Sequence, residues 1–589
     1  MLHFSKVAKI FAEIEEKAGR LEMTGILAEL FKQTGKTEVK KLIYLCQGML
    51  SPPYEGIDLG LGEQFAIRAI AASFGYSKSD VEKQYKDIGD LGMVAEKLGE
   101  KKKQQSFSSR EMDVSYVYDS FVKIAKMSGS GSQESKIKAL TELLNNSSPV
   151  EARFIVRFVT GRLRLGVGDP TIMDALSVSV SGDKSMREKI DRAYNICSDL
   201  GHVAELFLEN QESIAKFRVQ PFKPLMPALA ERLSTPDEII EKIGACAVEM
   251  KFDGFRLQCH KKGNEVELYS RKLEKMTHMF PDVVSAIQKL GAKEIIFEGE
   301  ALAYNQKEKK YYSFQQTMHR RRKHGVDAAS RELPLNVFVF DILYIDGDDM
   351  TELPYSQRRK RLEKIFPSGM SGTSGTSGIL KSGDSRLVKT GKELKKIFDE
   401  SVSEGLEGIM AKDLSSPYTA GKRKFAWIKL KKSYGKSVDT IDGVVVGYYL
   451  GKGSRAEFEF GGLLLAVYNE DKGKFETIAK IGGGFSEQEL TEFKEMLQEI
   501  TTEAPPSNLD WNDMQKPDFW VRPKFVVEVA FDDITQSPTH TCGMKSGKGG
   551  EAKGFALRFP RMVRLRSDKG VDEITTTREV IAMYGLQNR

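Results

Sequence analysis

The chain has 589 residues and a mass of 66.0 kDa, a length typical of a few domains rather than one. Its 89 Lys and Arg residues exceed its 83 Asp and Glu residues by six. That small excess excludes a histone-like polycation but leaves room for a local basic surface. The apolar runs are far shorter than the ~20 residues of a membrane helix, so we expect no membrane association.

The five cysteines (Cys46, Cys197, Cys246, Cys259, Cys542) are scattered and form no CxxC pair. An odd number of scattered thiols is typical of a reducing, intracellular compartment and speaks against a zinc cluster. The charged N-terminal stretch, residues 1–18, does not read as a secretory signal. We therefore expect a cytoplasmic protein, or a nuclear one in a eukaryote.

The first 215 residues are patterned as helices. Phe4, Val7, Ile10, Phe11 and Ile14 recur at spacings of three and four, which places them on one face. After Pro221 the pattern changes to short alternating runs such as Phe255–His260 and Val337–Tyr344, with helical stretches between them, which indicates an α+β region. The low-complexity segment 368–378 within it is predicted to be a surface loop.

From Asp439 onward, short β-type runs alternate with Gly-rich breaks such as Gly482-Gly483-Gly484. Roughly five strands in about 130 residues indicate a small β-barrel. The chain is thus predicted to have three domains: an all-α domain over 1–220, an α+β domain over 221–434 and a β-barrel over 435–589.

The sharpest chemical signal is Lys251 in Glu249-Met250-Lys251-Phe252-Asp253-Gly254-Phe255-Arg256, where a strand-like run ends at an Asp-Gly turn. A lysine that is buried or flanked by cations loses its proton more easily and becomes a nucleophile. Attack on an α-phosphate would give a phosphoramidate. A bare KxDG tetrapeptide, however, more often marks a solvated lysine in a turn, so its context decides.

Residues 249–256 resemble the KxDGxR motif of the covalent nucleotidyltransferases, which are DNA ligases, RNA ligases and capping enzymes. Other segments resemble the remaining motifs of that superfamily in their expected order: Tyr269-Ser270-Arg271, Phe297-Glu298-Gly299-Glu300, Phe338–Tyr344, Glu407–Lys412, Trp427–Lys431 and the run that begins at Arg558-Phe559-Pro560-Arg561. Seven ordered matches over ~310 residues make chance a poor explanation.

Three further segments resemble the archaeal and eukaryotic replicative type of ATP-dependent DNA ligase: residues 52–60, 161–170 and 558–569. The resemblance implies a helical DNA-binding domain, an adenylation domain and an OB-fold domain. It implies ATP and Mg²⁺ (or Mn²⁺) as cofactors, nicked duplex DNA as the partner, and a role in replication, repair and recombination. We expect a monomer.

The resemblance also implies roles for individual residues. Lys251 would carry AMP, Glu249 would accept the adenine amino group, and Phe340, with Phe338 as second choice, would stack on the base. Glu300 would bind the ribose or orient a metal-bound water, with Glu298 a weaker candidate, and Glu407 would lie on the metal side. Arg256 and Arg271 would contact phosphates or the nick; a structural salt bridge is the alternative for each.

Two basic runs are candidate phosphate-facing surfaces. Residues 415–438 contain seven Lys and Arg residues and no acidic one; Lys429 and Lys431 would reach the α-phosphate, and Arg423 is a further nucleotide-binding candidate. In the second run, 558–569, Arg558 and Lys569 are candidates for contacts of the last motif. A third run, Arg320 to Lys323, suits a solvated loop equally well.

Sequence-independent DNA binding relies on phosphate contacts. Gly166 and Gly168 would let backbone amides approach a phosphate. The segment Gln104–Phe107 loosely resembles a sliding-clamp-binding peptide, although Ser108 stands where a second aromatic residue is usual.

Two alternatives remain open at this point. One is an RNA-joining or capping nucleotidyltransferase that shares the chemistry of Lys251. The other is a non-catalytic duplex-binding clamp, although binding alone needs no nucleophile.

Overall fold

The computed structural model describes residues 1–17, 19–101, 111–305, 308, 310–312, 314–322, 324–366, 378–431, 440–451, 460–545, 552–567 and 569–587. The chain divides into two compact units, Met1–Leu430 and Lys431–Arg589. The division into three domains stays a prediction. Within the described ranges, every helix is too short or too polar to cross a lipid bilayer.

The first unit begins with thirteen helices in its described residues, as the helical pattern predicts. Their bounds are α1 Phe4–Glu15, α2 Arg20–Lys32, α3 Lys36–Gln47, α4 Glu63–Phe74, α5 Lys78–Ile88, α6 Leu91–Glu100, α7 Val114–Lys126, α8 Ser132–Asn145, α9 Pro149–Val159, α10 Asp169–Ser181, α11 Arg187–Cys197, α12 Leu200–Glu209 and α13 Gln211–Ala215.

Local signals set the ends of these helices. Before α9, Ser148 and Glu151 form a reciprocal capping box, and Pro149 fills the first turn, where no amide hydrogen is needed. The predicted stripe of α1 is confirmed, because Phe4, Val7, Phe11 and Ile14 are buried and Ile10 is partly buried against the same core.

The rest of the first unit alternates strands and helices. The strands are β1 Leu229–Arg232, β2 Cys246–Lys251, β3 Phe255–Lys262, β4 Glu265–Ser270, β5 Glu294–Asn305, β6 Lys310–Tyr311, β7 Leu335–Ile345, β8 Asp348–Asp349, β9 Leu380–Ser382, β10 Ser385–Val388, β11 Gly408–Asp413 and β12 Arg423–Lys431. The helices are α14 Pro236–Ile243, α15 Pro281–Gln288, α16 Phe314–Met318, α17 Val326–Glu332, α18 Tyr355–Ile365 and α19 Gly391–Ser403.

These strands form two sheets. The first has the order β1-β12-β11-β2-β10, and the second has the order β4-β3-β5-β7-β8, with β6 added to β5 and β9 added to β7. The chemical motifs therefore lie on β2 and β11, which pair directly, and on β3, β5 and β7, which are neighbours in the second sheet. Most of segment 368–378, the predicted surface loop, lies outside the described residues.

One apolar core is continuous between the helices and this α+β region. It contains Phe207 and Val219 together with Leu343, Tyr418 and Trp427. The segment around Phe222 and Leu225, which connects the helices to the α+β region, is also held by hydrogen bonds with β3. Nδ1 of His260 accepts a hydrogen bond from the amide of Phe222 at 2.9 Å, and Gln258 exchanges two hydrogen bonds with the backbone of Leu225.

The second unit has eleven strands and two helices within its described residues, more than the roughly five strands expected. They are β13 Thr440–Tyr449, β14 Gly462–Asn469, β15 Lys474–Ile481, α20 Glu487–Gln498, β16 Thr501–Thr502, β17 Leu509–Asp510, β18 Phe519–Val521, β19 Val526–Ala530, β20 Asp533–Ser537, β21 Cys542–Lys545, β22 Lys553–Arg558, β23 Arg561–Leu565 and α21 Thr577–Gln587.

The main sheet of the second unit has the order β16-β18-β13-β14-β15-β17, and β19 pairs with both β13 and β23. A separate sheet has the order β20-β22-β21. Both faces of the main sheet are covered. Along β14, Leu463 and Leu465 belong to one apolar cluster, whereas Leu464 and Ala466 belong to another, as the two-residue period of a strand requires.

His260 makes the first unit sensitive to acid. Burial lowers the pKa of His260 to about 3, because the charged imidazolium would lose its hydration there. In the neutral ring, Nδ1 accepts from the amide of Phe222. The unfolded chain binds this proton near pH 6.5 and the folded chain does not, so stability falls as the pH drops below about 6.5. By pH 4.5 the loss amounts to roughly 2–3 kcal/mol, at about 1.4 kcal/mol per pKa unit.

We therefore expect His260→Gln to flatten the decline in unfolding free energy between pH 6.5 and pH 4.5, as measured by urea titration. The exposed His278, changed in the same way, serves as the control and should leave the slope as in the parent chain. Equal slopes for His260→Gln and the parent chain would contradict this account.

Candidate active site

Lys251 is the last residue of β2, and its side chain is about one-fifth exposed. Its Nζ lies 2.5 Å from Oε2 of Glu407, and its carbonyl accepts a hydrogen bond from the Glu407 amide at 3.2 Å. The pairing of β2 with β11 sets this contact, since Lys251 is opposite Gly408. The predicted nucleophile thus lies against one of the two predicted metal-side carboxylates.

Gly254 of the same motif stands where only a glycine fits. A Cβ atom at this position would lie 2.4 Å from the carbonyl oxygen of Ala301 on β5. The turn after Lys251 therefore packs directly against the strand that carries Glu300, which brings the first and third motifs together.

Glu300 is the second carboxylate near Lys251. It lies on β5 opposite Arg256 of β3. Burial raises the pKa of Glu300 to about 7, and the charges of Lys251 and Arg256 oppose that rise. Its protonation therefore depends on the positive charge nearby, a property typical of residues that meet a charged ligand.

Arg256 makes four hydrogen bonds within the protein. Its Nε and Nη2 bind the two oxygens of Glu298 at 3.1 and 2.6 Å, Nη1 binds the carbonyl of Ala228, and Nη2 also binds the hydroxyl of Tyr418. Glu298 is almost completely buried and also accepts from Tyr418 and Gln258. This arrangement matches the structural alternative for Arg256, and its contact with phosphate stays a prediction.

Glu249 precedes Lys251 by two residues and is buried. Its Oε2 accepts from Nζ of Lys412 at 2.8 Å, and its Oε1 accepts from the hydroxyl of Tyr355. Arg359 Nη1 lies 3.5 Å from Oε1. These three side chains enclose the Glu249 carboxylate, which therefore does not lie on a solvent-facing side of the strand.

The two candidate stacking residues, Phe338 and Phe340, differ in how far their rings are buried. Phe338 is buried and stacks on Phe252 with ring centroids 4.1 Å apart, so it belongs to the core. Phe340 is only partly buried and meets Trp427 edge-on at 5.8 Å. Met410, also partly exposed, lies beside Glu249 on the neighbouring strand. Phe340 is thus the ring that retains an accessible surface.

The basic run on β12 is partly described. Lys429 is half-buried on this strand, Lys431 is its last residue, and the side chain of Arg423 lies outside the described residues. Lys422 forms an ion pair with Asp191 of α11, so this lysine is tied to the helical region. Arg271 is exposed in the turn that follows β4.

In the second unit, carboxylates accompany the basic run. Lys569 and Arg566 both bind Asp442, at 2.7 and 3.0 Å. Arg561 binds Asp532 and Arg564 binds Glu528, each at 2.7 Å. Arg558 ends β22 with its guanidinium over the ring of Phe559. A one-sided basic stretch in sequence is therefore largely charge-paired in space.

The candidate phosphate loop of the helical region precedes α10. Gly166 has a positive φ of 65°, which favours glycine, and Gly168 is the N-cap of α10. Both are exposed, and their contact with DNA stays a prediction. The candidate clamp peptide, Gln104–Phe107, lies outside the described residues.

Three family models match successive parts of the chain. Residues 3–177 match the DNA ligase N terminus, residues 227–431 match the ATP dependent DNA ligase domain, and residues 456–569 match the ATP dependent DNA ligase C terminal region.

Curated relatives match over the full length. A probable DNA ligase of Dictyoglomus turgidum is 44% identical over 590 residues, covering 100% of this chain and 98% of the relative. A DNA ligase of Sulfolobus acidocaldarius is 40% identical over 597 residues, with 99% and 98% covered. The chain belongs to the ATP-dependent DNA ligases. These enzymes form phosphodiester bonds and seal nicks.

A solved structure described as Pmar-Lig_Pre covers 95% of the chain and 99% of its own length, with a TM-score of 0.55 at 17% identity. At that identity the likeness concerns the fold alone. It supports a multidomain ligase architecture that spans both units.

Sequence reasoning on this ligase missed three buried groups. Lys412 closes the fourth motif but was given no role, and its Nζ is buried beside Glu249. Asp341 and Arg358 form a fully buried pair at 2.8 Å behind Phe340. Motif order alone reveals none of these contacts, although a lysine within a mostly apolar strand is a signal that could have found Lys412.

Among the described residues, no group of three or more His, Cys, Asp or Glu side chains is arranged to hold a metal ion. Magnesium sites at nucleotides commonly use one or two carboxylates, completed by phosphate oxygens and waters. Glu407 and Glu300, which both interact with Lys251, provide such hard oxygen ligands and fit that kind of site.

Removing one partner of the buried pair Arg256 and Glu298 should strongly destabilise the ligase. Glu298→Gln leaves a buried guanidinium without its counter-charge, so we expect a loss of about 3 kcal/mol in unfolding free energy. The measurement is urea denaturation of the full chain. Glu274→Gln is the matched control, because Glu274 pairs with Arg321 at the surface and should cost less than 1 kcal/mol. Equal losses of unfolding free energy in the two variants would contradict the expectation that breaking the buried pair costs more than breaking the surface pair.

Proposed function

We propose that Lys251 is the residue of this ligase that carries AMP, and that it passes the AMP to the 5′-phosphate of a nick in duplex DNA. The observation that carries this proposal is the position of Lys251 at the end of β2, with its Nζ 2.5 Å from Glu407. No solvated turn lysine would be placed in this way.

In the first step, Nζ of Lys251 attacks the α-phosphorus of ATP, the bond to pyrophosphate breaks, and a phosphoramidate forms. The ammonium must lose a proton before it attacks. Glu407 is in contact with that ammonium, so its carboxylate is placed to accept the proton or to orient the amine.

In the second step, the 5′-phosphate attacks the same phosphorus and Lys251 leaves, regaining a proton. In the third step, the 3′-hydroxyl attacks the activated 5′-phosphate, AMP leaves, and the phosphodiester bond closes. All three steps are in-line phosphoryl transfers, which depend mainly on positioning and charge neutralisation.

Glu300 and Glu407 would hold a divalent cation, Mg²⁺ or Mn²⁺. When bound, such an ion neutralises charge on the phosphate oxygens. Glu300, whose pKa burial raises to about 7, gains from a nearby cation because positive charge favours its ionised form.

The base and phosphates of ATP would be bound by side chains around Lys251. Phe340 and Met410 offer partly exposed apolar surface for the adenine, with the Glu249 carboxylate beside them. Lys429 and Lys431 are two residues apart on β12, so they share one face of the strand and would both reach the α-phosphate. Arg423 and Arg271 would make further phosphate contacts.

The second unit would complete the catalytic cycle as an OB-fold domain. Its mostly antiparallel main sheet and its apolar core are compatible with that fold. Arg558 and Lys569 would contact pyrophosphate during the first step; Lys569 would then exchange Asp442 for a phosphate oxygen. The duplex would be held mainly through its phosphates, by the helical region that includes Gly166 and Gly168.

The test uses α-labelled ATP followed by nicked DNA or nicked RNA. We expect label on the protein, its transfer to the 5′-phosphate and sealing of the DNA nick. Lys251→Arg keeps the positive charge but should lose at least about 10⁴-fold in labelling, since it removes the nucleophile.

Lys261→Arg is the matched control: Lys261 lies in the same region and contacts the backbone of Ala292, so labelling should persist. Sealing of RNA but not DNA would point instead to an RNA-joining enzyme. Undiminished labelling of Lys251→Arg would contradict the assignment of the nucleophile.

A further inference from the structure

Lys412 is a buried ammonium that the mechanism above does not use. It lies on β11, is 1% exposed, and its Nζ donates to Oε2 of Glu249 and to the carbonyl of Phe340, both at 2.8 Å. A buried charge is costly unless it is paired and hydrogen-bonded. The Glu249 carboxylate and the Phe340 carbonyl therefore stabilise the buried charge of Lys412, and Lys412 in turn gives each of them a hydrogen bond.

Three aromatic rings surround the same ammonium. Its Nζ lies 4.7 Å from the ring centre of Trp427, 4.8 Å from that of Tyr355 and 5.1 Å from that of Phe340. Ring faces attract a cation, most strongly when water is excluded. The Nζ atom of Lys412 thus contacts both Phe340, the proposed stacking ring, and Glu249, the proposed base-facing carboxylate.

The rest of the environment of Glu249 also consists of donors. Its Oε1 accepts from Tyr355, and Arg359 approaches it at 3.5 Å through Nη1. That buried Nη1 atom makes no hydrogen bond within the described part of the chain. An ionised carboxylate in this setting can only accept hydrogen bonds.

We propose that Lys412 is a positioning residue that sets base selection, by holding Glu249 as an acceptor beside the plane of Phe340. This inference rests on the proposed function, in which adenine lies between Phe340 and Met410. Adenine presents an amino donor at position 6, whereas hypoxanthine and guanine present a carbonyl acceptor there. Two facing acceptors repel, so the arrangement disfavours 6-oxo purines.

Substitution of Lys412 by methionine keeps most of the volume and removes the charge. Glu249 then loses its closest counter-ion and the hydrogen bond that holds its Oε2. A carboxylate that is no longer held in one position no longer presents a fixed acceptor to position 6 of the base. The variant should therefore discriminate less between the two kinds of purine.

The test compares ATP with ITP, whose bases differ at position 6 and in the hydrogen on the adjacent N1, in single-turnover labelling of the full-length protein. For each nucleotide the maximum rate and the half-saturating concentration are measured. We expect the parent chain to prefer ATP and Lys412→Met to lose roughly 10- to 100-fold of that preference. The loss should appear mainly in the half-saturating concentration of ATP, with the maximum rate within about threefold.

Two further variants separate positioning from simple destabilisation. Lys412→Arg keeps the charge and should restore part of the preference. Glu249→Gln should lower the preference as Lys412→Met does, and the double variant should lose no more than either single one, because both act through the same carboxylate.

The matched control is Lys261→Met, which removes another buried lysine; its Nζ binds the carbonyls of Leu290 and Ala292. It should lower stability and leave the ATP-to-ITP ratio unchanged. If Lys412→Met does not fold, Lys412→Arg and Glu249→Gln are measured against the same ratio.

An unchanged ratio in a folded Lys412→Met or in Glu249→Gln, with Lys251 still labelled, overturns this inference and leaves the proposed function standing. An equal loss with both nucleotides that Lys412→Arg does not rescue also overturns it. Absence of any label on the parent chain overturns the proposed function as well.

Discussion

Each charge buried beside the proposed active site in the pairs below is matched by an opposite charge that another segment of the chain supplies. Three such pairs lie there: Glu298 with Arg256, Asp341 with Arg358, and Glu249 with Lys412. The first joins β3 to β5, the second joins β7 to α18, and the third joins β2 to β11. Because an unpaired buried charge is strongly destabilising, the three pairs favour the observed register of the strands that carry the motifs.

The same constraint explains how the site and the helical region are coupled. Every second residue of β3 from Arg256 to His260 binds the backbone of segment 222–228. Arg256 binds Ala228, Gln258 binds Leu225, and His260 binds Phe222. Glu298 contacts both Arg256 and Gln258. One row of side chains thus reaches from the proposed nucleotide site to the segment that leads in from the helices, and the same apolar core runs through both regions.

The helical region, the α+β region and the membership of Lys251 in a nucleotidyl-transfer motif could be predicted, because periodicity and motif spacing are local properties. Charge partners could not, because they come from distant positions. Arg320 looked like part of a basic loop, yet it is fully buried and binds Asp282 and the carbonyl of Met279. The run at 558–569 looked one-sided, yet Asp442 neutralises Lys569 from across the sheet.

The pairing of β2 with β11 places Lys251 against Glu407, and the proposed mechanism makes Lys251, and no other lysine, the nucleophile. The most direct measurement is peptide mapping by tandem mass spectrometry after incubation with ATP and a divalent cation. The account predicts an AMP mass on the peptide that contains Lys251, with fragment ions that place it on that side chain. AMP on Lys412, on Lys429 or on any other residue in place of Lys251 would contradict it.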